Sequence, residues 1–588
     1  MGDYSINNIY QGGYSSLTPK YGTSFGNYNI NPKTLGMSTD GRTANIIQEV
    51  SNKLNTGAKH TEIATVGPGE FDAIPKQQFE EMRRLSKITG TTVSLHAPIV
   101  ELSGLTQQQF SNVNREGAER QIFSAMEKAH MMSPNENISV TVHSSAAPFP
   151  GRTSAKGKEP ENVLIINKDT GSVHTIPVKE RTFPGEPAKR DVKQEINKLN
   201  EQQWIENLRQ LEHRSQLGGD VLEKTALTNF LSESEKLKGK ILTEEEKNAQ
   251  FEFGRGANYL YGSYNELKEL FDTAYNNASD VEKNKIKQFY EEVEKDAKKV
   301  AQNPREMKNA LLVKDIVRKG VEFLDKEIAP PQLYGDLNDF AREKTAETIS
   351  NVALKSLKDK NIGNGDINKT PVINVENPPA GMMFSEGQDL KDIVEKSRQK
   401  FVEKAVQGGM GERSAKEAAE RLIGVTWDVG HINMLRKYGY ESEDIIKETE
   451  KVAPLVKHIH LSDNFGFEHT ELPMGMGNVP MKEILDKLGK QAFDAKKVIE
   501  AVSWWQHFQT PPFKETLSAF GSPIYSMQMS PYWNQSLGLQ QGYYGGYGAM
   551  LPSGNYETMG AGFSRLPMEL GGQHPGGEGG RMSGKGME

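Results

Sequence analysis

The sequence predicts an α/β protein built on a (β/α)8 TIM barrel, with a large, mainly helical insertion between strands 4 and 5 and disordered termini. From Leu35 onward, short runs rich in β-branched residues alternate with longer amphipathic stretches. Eight such runs can be counted, which is the number that closes a barrel. The alternation stops near Gly151 and resumes after Asn364, and this gap marks the insertion.

The predicted strands are short, and most of them are followed by a segment with helical periodicity. The strands are predicted over residues 34–39, 59–66, 91–97, 138–144, 371–377, 424–432, 456–463 and 497–503. The helices between them are predicted over residues 44–54, 76–88, 112–130, 415–422, 442–452 and 481–488.

The inserted segment opens with a predicted hairpin, residues 163–166 and 172–178, and continues with charged helices. Capping-box patterns at Thr243 and Ser279 mark two helix starts. The segment is interpreted either as a solvated helical cap or as a lid that clamps substrate. Its candidate core residues are aromatic or aliphatic: Trp204, Leu208, Leu211, Tyr259, Leu267, Leu270, Phe271, Phe289, Tyr290, Phe323 and Leu324.

These features divide the chain into five regions. Residues 1–33 are predicted to be a flexible arm, and residues 34–150 the first half of the barrel. The insertion spans 151–365, and the second half of the barrel spans 366–525. Residues 526–588 are rich in Gly and Tyr, cannot form a core, and are predicted to be a disordered tail.

Composition excludes several kinds of site. The 588 residues contain no cysteine, so any metal must be held by His, Asp, Glu, carbonyl or water ligands. The N-terminus lacks a signal-peptide pattern, and no run approaches the roughly 18 apolar residues of a membrane span. We therefore expect a cytoplasmic protein without a membrane partner, and its net charge of -7 gives no global attraction to nucleic acid.

Histidines and carboxylates collect at the C-terminal ends of the predicted strands, which form the catalytic face of this fold. Each of them alone is most often a hydrogen-bonded structural residue. Together, five of the twelve histidines and four carboxylates would be costly to bury around one mouth unless cations pair with them. The residues are His96, His143, Glu376, Asp428, His431, His460, His469, Glu471 and Glu500.

The order of these residues resembles the endonuclease IV branch (AP endonuclease family 2) of the xylose-isomerase-like TIM barrel superfamily. The resemblance implies a centre of up to three zinc ions. The first ion would be held by His96, His143 and Glu376, which would bridge to a second ion. The remaining ligands implied are Asp428, His460 and Glu500 for the second ion, and His431, His469 and Glu471 for the third.

The third site departs from the family pattern. The family has Asp-x-His before its Gly-x-Gly, whereas this chain has His469-Thr470-Glu471 before Gly475-Met476-Gly477. The order of imidazole and carboxylate is exchanged, but two histidines and one carboxylate are kept for that ion.

Two enzyme classes follow from the resemblance. The first is a phosphodiester hydrolase acting on abasic-site DNA, in which the cations activate a hydroxide and Glu376 and Glu500 are the catalytic carboxylates. The alternative is a sugar or sugar phosphate isomerase or epimerase with one divalent ion, such as manganese, and the same two carboxylates moving protons. A non-catalytic scaffold is a third possibility, and the oligomeric state is not predicted.

Three observations weigh against the nuclease. The net charge is negative, which opposes binding to DNA. The insertion lies on a catalytic-face loop between strands 4 and 5, where it could obstruct a DNA duplex. Ile99 stands where the repair enzymes tend to carry an aromatic residue.

Other polar and aromatic residues are expected to play lesser roles. His60 and Glu62 should flank the mouth, either in a structural role or in contact with substrate. His458 should point away from the barrel interior into the layer between sheet and helices. Asp463 is expected to support a ligand or contact substrate. Trp504 and Trp505 are expected to serve packing.

Overall fold

A computed structural model of the chain describes residues 34–520, except for residues 44, 66, 152, 158–161, 179–191, 227–242, 303–306, 490, 492–493 and 509–510. The predicted arm, residues 1–33, and the predicted tail, residues 526–588, lie outside the described residues. The chain divides into two compact units. A barrel unit comprises Met1–Pro160 with Asn338–Glu588, and an inserted unit comprises Glu161–Leu337.

The barrel unit contains a closed barrel of eight parallel strands, as the sequence predicts. Around the barrel the strands follow the order β1-β11-β10-β9-β8-β4-β3-β2. They are β1 (Leu35–Ser38), β2 (His60–Ile63), β3 (Thr92–His96), β4 (Ser139–His143), β8 (Val372–Glu376), β9 (Ile423–Asp428), β10 (Val456–Leu461) and β11 (Lys496–Ile499).

The helices of the barrel unit include all six that the sequence predicts. Helix α10 lies in a stretch for which no helix is predicted, and α9 begins at the edge of the inserted unit. The helices are α1 (Ile46–Asn55), α2 (Pro68–Ala73), α3 (Lys76–Thr89), α4 (Asn112–Met132), α9 (Leu337–Lys358), α10 (Gly387–Gln407), α11 (Glu412–Leu422), α12 (Val429–Asn433), α13 (Ser442–Val452), α14 (Met481–Leu488), α15 (Val502–Phe508) and α16 (Phe513–Ala519).

Helix α9 packs on the barrel. Its Asn351 donates a hydrogen bond to Glu119 of α4 at 2.9 Å and accepts one from Lys404 of α10. It therefore occupies the position of the barrel helix between β4 and β8. The sequence-based division placed residues 338–365 in the insertion, whereas the structure places them in the barrel unit. The polar surface of α9 explains the difference, since it continues the charged texture of the insertion.

The sixth barrel strand is shorter than the predicted run 424–432. Strand β9 ends at Asp428, and α12 begins at the next residue. The Asp428 carboxylate accepts a hydrogen bond from the backbone N–H of His431 at 2.7 Å. This side-chain cap starts a helix where β-propensity alone suggests that the strand continues.

The two faces of the barrel strands differ in polarity. Outward-facing residues such as Val142, Val375 and Trp427 are buried under the surrounding helices. Inward-facing residues are polar, as in the 2.9 Å hydrogen bond between the hydroxyls of Thr141 and Thr426. The lumen is thus filled by hydrogen-bonded and titratable side chains rather than by the branched aliphatic layers common in this fold.

The inserted unit contains a small antiparallel sheet and long helices. Strands β5 (Asn162–Asn167) and β6 (Val173–Pro177) form the predicted hairpin, and β7 (Tyr334–Asp336), which the sequence does not predict, pairs with β5. The helices are α5 (Val192–Ala226), α6 (Glu244–Asn277), α7 (Asp280–Gln302) and α8 (Met307–Glu327). Reciprocal hydrogen bonds confirm both capping boxes, at Thr243 with Glu246 and at Ser279 with Glu282.

The helices of the inserted unit bury a core of their own. Most of the predicted core residues lie in it, with Leu270 and Phe323 partly buried. The sequence predicts Tyr259 and Tyr290 as core residues, but they are 43% and 40% exposed and lie outside the buried cluster. A tyrosine has an apolar ring and a polar hydroxyl, so it is well suited to such a partly exposed position. None of the helices in the described residues combines the length and hydropathy that crossing a membrane requires.

Candidate metal centre

The first predicted ligand group forms at the ends of three neighbouring strands. His96 ends β3, His143 ends β4 and Glu376 ends β8. Both imidazoles face one carboxylate oxygen: Nε2 of His96 lies 3.0 Å and Nε2 of His143 lies 3.4 Å from Oε2 of Glu376. The structure thus brings these three side chains together as a possible metal-binding group.

The second group uses the other oxygen of Glu376. Oε1 of Glu376 lies 2.9 Å from Nδ1 of His460, and Oε1 of Glu500 lies 3.2 Å from the same nitrogen. Asp428 at the end of β9 completes a group of four residues that could hold an ion. Parallel strands deliver their C-terminal ends to one rim, which is why residues far apart in sequence meet here.

The third predicted group is assembled more loosely. Nε2 of His431 lies 2.8 Å from Nε2 of His469, and His469 lies 3.7 Å from a carboxylate oxygen of Glu471. The ring of His431 is oriented by its Nδ1, which lies 2.7 Å from the carbonyl oxygen of Asn377. Glu471 has a left-handed backbone (φ 47°), which is uncommon for a residue with a side chain and marks a constrained position.

A loop over residues 463–479 positions His469 and Glu471. Asp463 is fully buried, and its carboxylate accepts backbone hydrogen bonds from Asn464, Gly475 and Val479 at 2.9 to 3.1 Å. Asp463 and Leu472 also exchange two backbone hydrogen bonds. The role expected for Asp463 is therefore specific: it folds the loop that carries two candidate ligands.

The charges in this cluster oppose one another. Burial favours neutral imidazole, but the hydrogen bond and charge of Glu376 raise the pKa of His96 to about 9. Burial instead lowers the pKa of His143 to about 3 and that of His469 to about 4. Although burial favours a protonated carboxyl, His460 and His143 hold the pKa of Glu376 well below its usual range.

The pKa values of two other carboxyl groups, Glu471 and Glu500, shift in the opposite direction. Burial, followed by the charge of Glu500, raises the pKa of Glu471 to about 7. Burial also raises the pKa of Glu500. Carboxylates and imidazoles that cannot all take their preferred protonation state are typical of a site built for cations.

The donor set fits divalent cations. Imidazole nitrogens and carboxylate oxygens in groups of three or four suit zinc, manganese and related ions. Oδ2 of Asp428 is buried and has no hydrogen-bond partner among the described residues, as expected of an atom reserved for a ligand. The first two groups each gather enough donor atoms for an ion, whereas the third does not gather its atoms as closely.

Two residues predicted to flank the mouth lie deeper in the lumen. Glu62 is fully buried, with its two oxygens 2.8 Å from Nε2 of His460 and 2.9 Å from Nε2 of His458. His60 lies below it, 3.0 Å from the hydroxyl of Ser94. The predicted position at the rim was wrong because the strand register pairs Glu62 with Ser94, two residues before His96 at the end of β3, and His60 with Thr92 further down the strand.

The predicted outward orientation of His458 was also wrong. His458 and His460 are two residues apart on β10, so their side chains share the inward face of the strand. The alternation of polar and apolar residues in β2, β3 and β10 carries this signal in the sequence. Trp504 is 8% exposed, consistent with the packing role expected for it.

Residues 412–517 match a family model described as a xylose isomerase-like TIM barrel. The match includes Asp428, His431, His460, His469, Glu471 and Glu500.

Two similar proteins extend the comparison. An uncharacterized protein of Methanocaldococcus jannaschii is 29% identical over 85 residues, which are 14% of this chain. The chain thus spans 28% of the length of that relative. A crystal structure described as a D-tagatose 3-epimerase-like protein aligns with a TM-score of 0.34 and 11% identity, covering 84% of this chain and 97% of that chain.

Proposed function

We propose that this chain, whose residues 412–517 match the xylose isomerase-like TIM barrel model, is a metal-dependent phosphodiester hydrolase with a multinuclear centre at the C-terminal rim of its barrel. The superfamily includes both endonuclease IV and sugar epimerases, so the residues of the site, and not the fold, distinguish the reactions.

The main support for the proposal is that the two carboxylate oxygens of Glu376 face different groups of histidines. Oε2 faces His96 and His143, while Oε1 faces His460. A carboxylate with one oxygen toward each of two ligand groups suits a bridge between two cations. A one-ion site has no need for His96 and His143, which extend the donor set beyond the four residues around His460.

The residues have distinct proposed tasks. Two divalent ions would be held by six residues: His96, His143, Asp428, His460, Glu500 and the shared Glu376. When bound, such ions would supply charge neutralisation for a phosphodiester and a nucleophile near neutral pH.

The remaining candidates stand beside this pair. His431, His469 and Glu471 would hold a third ion. Because these three residues are arranged more loosely, we expect the third ion to be the most weakly bound of the three. Zinc is the proposed metal, because imidazole and carboxylate donors without thiolate suit it well.

Abasic-site DNA is the proposed substrate, based on the resemblance to the endonuclease IV branch. Hydrolysis would nick the strand beside the lesion. The half-exposed Ile99, which directly follows the β3 strand end and Pro98, is the side chain proposed to approach the duplex in place of an aromatic residue.

The proposal is tested by elemental analysis of the purified protein and of a His96→Ala, His143→Ala variant. We expect two to three divalent ions per chain, falling by about one in the variant. Nicking of a duplex with a single abasic site should follow the metal content. An Ile88→Ala variant is the matched control, because Ile88 is exposed on α3 away from the site. A single ion that persists in the His96, His143 variant would exclude the multinuclear hydrolase.

A sugar or sugar phosphate epimerase is the second candidate function. It is favoured by the group of Glu376, Asp428, His460 and Glu500, which by itself can hold one ion, such as manganese. Glu376 and Glu500 would then move a proton on either side of a carbon next to a carbonyl. Incorporation of deuterium into a ketose or ketose phosphate in deuterated water would distinguish the epimerase from the hydrolase, because a hydrolase of DNA leaves such sugars unlabelled.

A further inference from the structure

We propose that Glu62 is a positioning residue. It accepts a hydrogen bond from Nε2 of His460 and so holds the ring with Nδ1 toward the metal centre. This inference rests on the proposed metal centre and adds a residue outside the nine ligands. It follows from the position of His460 between carboxylates on both sides of its ring.

The two nitrogens of His460 face different parts of the lumen. Nδ1 faces the rim, 2.9 Å from Glu376 and 3.2 Å from Glu500. Nε2 faces inward, 2.8 Å from Oε1 of Glu62. A cation held by Glu376 and Glu500 would therefore meet Nδ1, and the proton of the imidazole would belong on Nε2.

A proton on Nε2 needs an acceptor at this depth. His460 and Glu62 are both fully buried, and neither Nε2 nor Oε1 has a hydrogen-bond partner of good geometry among the described residues. Leaving both atoms unpaired would cost the desolvation free energy of two polar groups. Nε2 of His460 and Oε1 of Glu62 lie 2.8 Å apart, within hydrogen-bond distance, so we assign Glu62 as the acceptor of this proton. A carboxylate behind a ligating histidine sets its tautomer and orientation.

Glu62 is itself held from below. The hydroxyl of Ser94 donates a hydrogen bond to Oε2 of Glu62 at 2.7 Å, and Nε2 of His458 lies 2.9 Å from the same oxygen. The ring nitrogens of His60 form hydrogen bonds with two hydroxyls: Nε2 with Ser94 at 3.0 Å and Nδ1 with Thr92 at 2.9 Å. A carboxylate with supports on this side has little freedom to move when His460 binds a cation.

The test compares Glu62→Leu and Glu62→Gln with the wild-type protein. Leucine removes the acceptor, while glutamine keeps the shape and one acceptor oxygen without the charge. Asn374→Leu is the matched control, since Asn374 is a buried polar residue of the same lumen that contacts Ser139 rather than a ligand. Zinc affinity is measured by competition with a chromophoric chelator, and the visible absorption of the cobalt-loaded protein reports ligand geometry.

We expect Glu62→Leu to weaken metal binding by about 10- to 100-fold and to change the cobalt spectrum. Glu62→Gln should recover much of the affinity, with a remaining loss of about fivefold for the missing charge. Asn374→Leu should keep the wild-type affinity and spectrum. Circular dichroism shows whether each variant is folded, and Glu62→Gln decides the question if Glu62→Leu does not fold.

The inference would be overturned if Glu62→Leu kept the wild-type zinc affinity and cobalt spectrum. If Glu62→Leu does not fold, the same result in Glu62→Gln would overturn it. Loss of one whole ion with unchanged affinity for the others would also overturn it, because Glu62 would then be a ligand of a deeper cation with His458 and His460. If the wild-type protein bound no divalent ion, the metal centre of the proposed function would fail as well.

Discussion

Glu376 is the residue on which both ligand groups depend, because its oxygens lie 3.0 Å from His96 and 2.9 Å from His460. The variant Glu376→Gln keeps the side-chain volume but loses the charge that two cations would share. We expect it to lose at least one ion per chain and at least about 100-fold in the rate of DNA nicking. Elemental analysis and single-turnover assays measure the two effects.

The control for that variant is Glu386→Gln. Glu386 is a half-buried carboxyl that accepts a hydrogen bond from Thr153 at 2.8 Å and is not a candidate ligand. Its substitution should leave the metal content unchanged. Full metal content in Glu376→Gln would contradict the bridging role.

Lys457, at the opposite end of β10, should make stability depend on pH. Burial, followed by the charges of Arg398 and Arg421, lowers the pKa of Lys457 to about 7 from 10.5. Between these pH values the unfolded chain binds a proton that the folded chain does not, so the free energy of unfolding should rise as the pH rises through this window.

The pH effect is measured as the difference in unfolding free energy between the wild-type protein and Lys457→Met. This difference should grow by on the order of 1 kcal/mol between pH 7 and 10. Lys416→Met, at an exposed ion pair with Glu412, serves as the control and should lack the rise. A difference that is constant with pH would show that Lys457 stays protonated in the fold.

At the scale of elements, the loop over residues 463–479 decides whether the third ligand group forms. Gly477 lies against the start of this loop, where an added Cβ would come within 2.3 Å of both the carbonyl oxygen of Asn464 and a carboxylate oxygen of Asp463. Gly477→Ala must therefore displace backbone. We expect it to remove the most weakly held ion while the other ions remain, as elemental analysis after dialysis would show.

Gly411→Ala is the matched control for this loop variant. Gly411 precedes α11, and a Cβ added there meets no atom within 4 Å. Its metal content should equal that of the wild-type protein. Equal metal content in Gly477→Ala would contradict the role of the loop.

The two longest helices of the inserted unit, α5 and α6, approach closely at a pair of glycines. A Cβ at Gly256 would lie 3.1 Å from the carbonyl oxygen of Gly218 and 3.2 Å from Leu222. Gly256→Val should therefore destabilise the unit by about 1–3 kcal/mol through overpacking. Gly262→Val on the same helix meets no atom within 4 Å and should not destabilise. Urea unfolding monitored by circular dichroism compares the variants, and equal midpoints would refute the close approach.

At the scale of the whole molecule, the candidate metal centre and the insertion lie in different compact units. All nine candidate ligands lie in the barrel unit, while the inserted unit buries a core of its own around Leu260, Phe271 and Phe289. We expect a fragment of residues 161–337 to fold alone, with a helical spectrum and a cooperative thermal transition. A fragment without such a transition would show that its core depends on the barrel.

Much of the architecture follows from local patterns in the sequence. The alternation of β-branched runs with amphipathic stretches predicts the eight strands, and the strand-end residues His96, His143 and Glu376 indicate the rim of the barrel. The capping boxes at Thr243 and Ser279 are local as well, since each uses residues only three positions apart. Such signals survive in a single sequence because the interactions that produce them are short in range.

The sequence-based predictions fail where a feature depends on contacts between distant segments, or where a local helix cap competes with strand propensity. Helix α9 has a charged sequence typical of the insertion, yet its packing on α4 and α10 places it in the barrel unit. Strand β9 ends early because Asp428 caps the next helix. Neither outcome can be read from hydrophobic periodicity alone.

The sequence by itself determined the barrel, the set of candidate ligands and the absence of cysteine thiolates. Only the tertiary structure decided that one oxygen of Glu376 faces His96 and His143 while the other faces His460, and that Glu62 stands behind that histidine. The physical reason is that strand propensity and residue order are properties of a segment. The pairing of buried charges depends instead on which strands the closed barrel makes neighbours across its lumen.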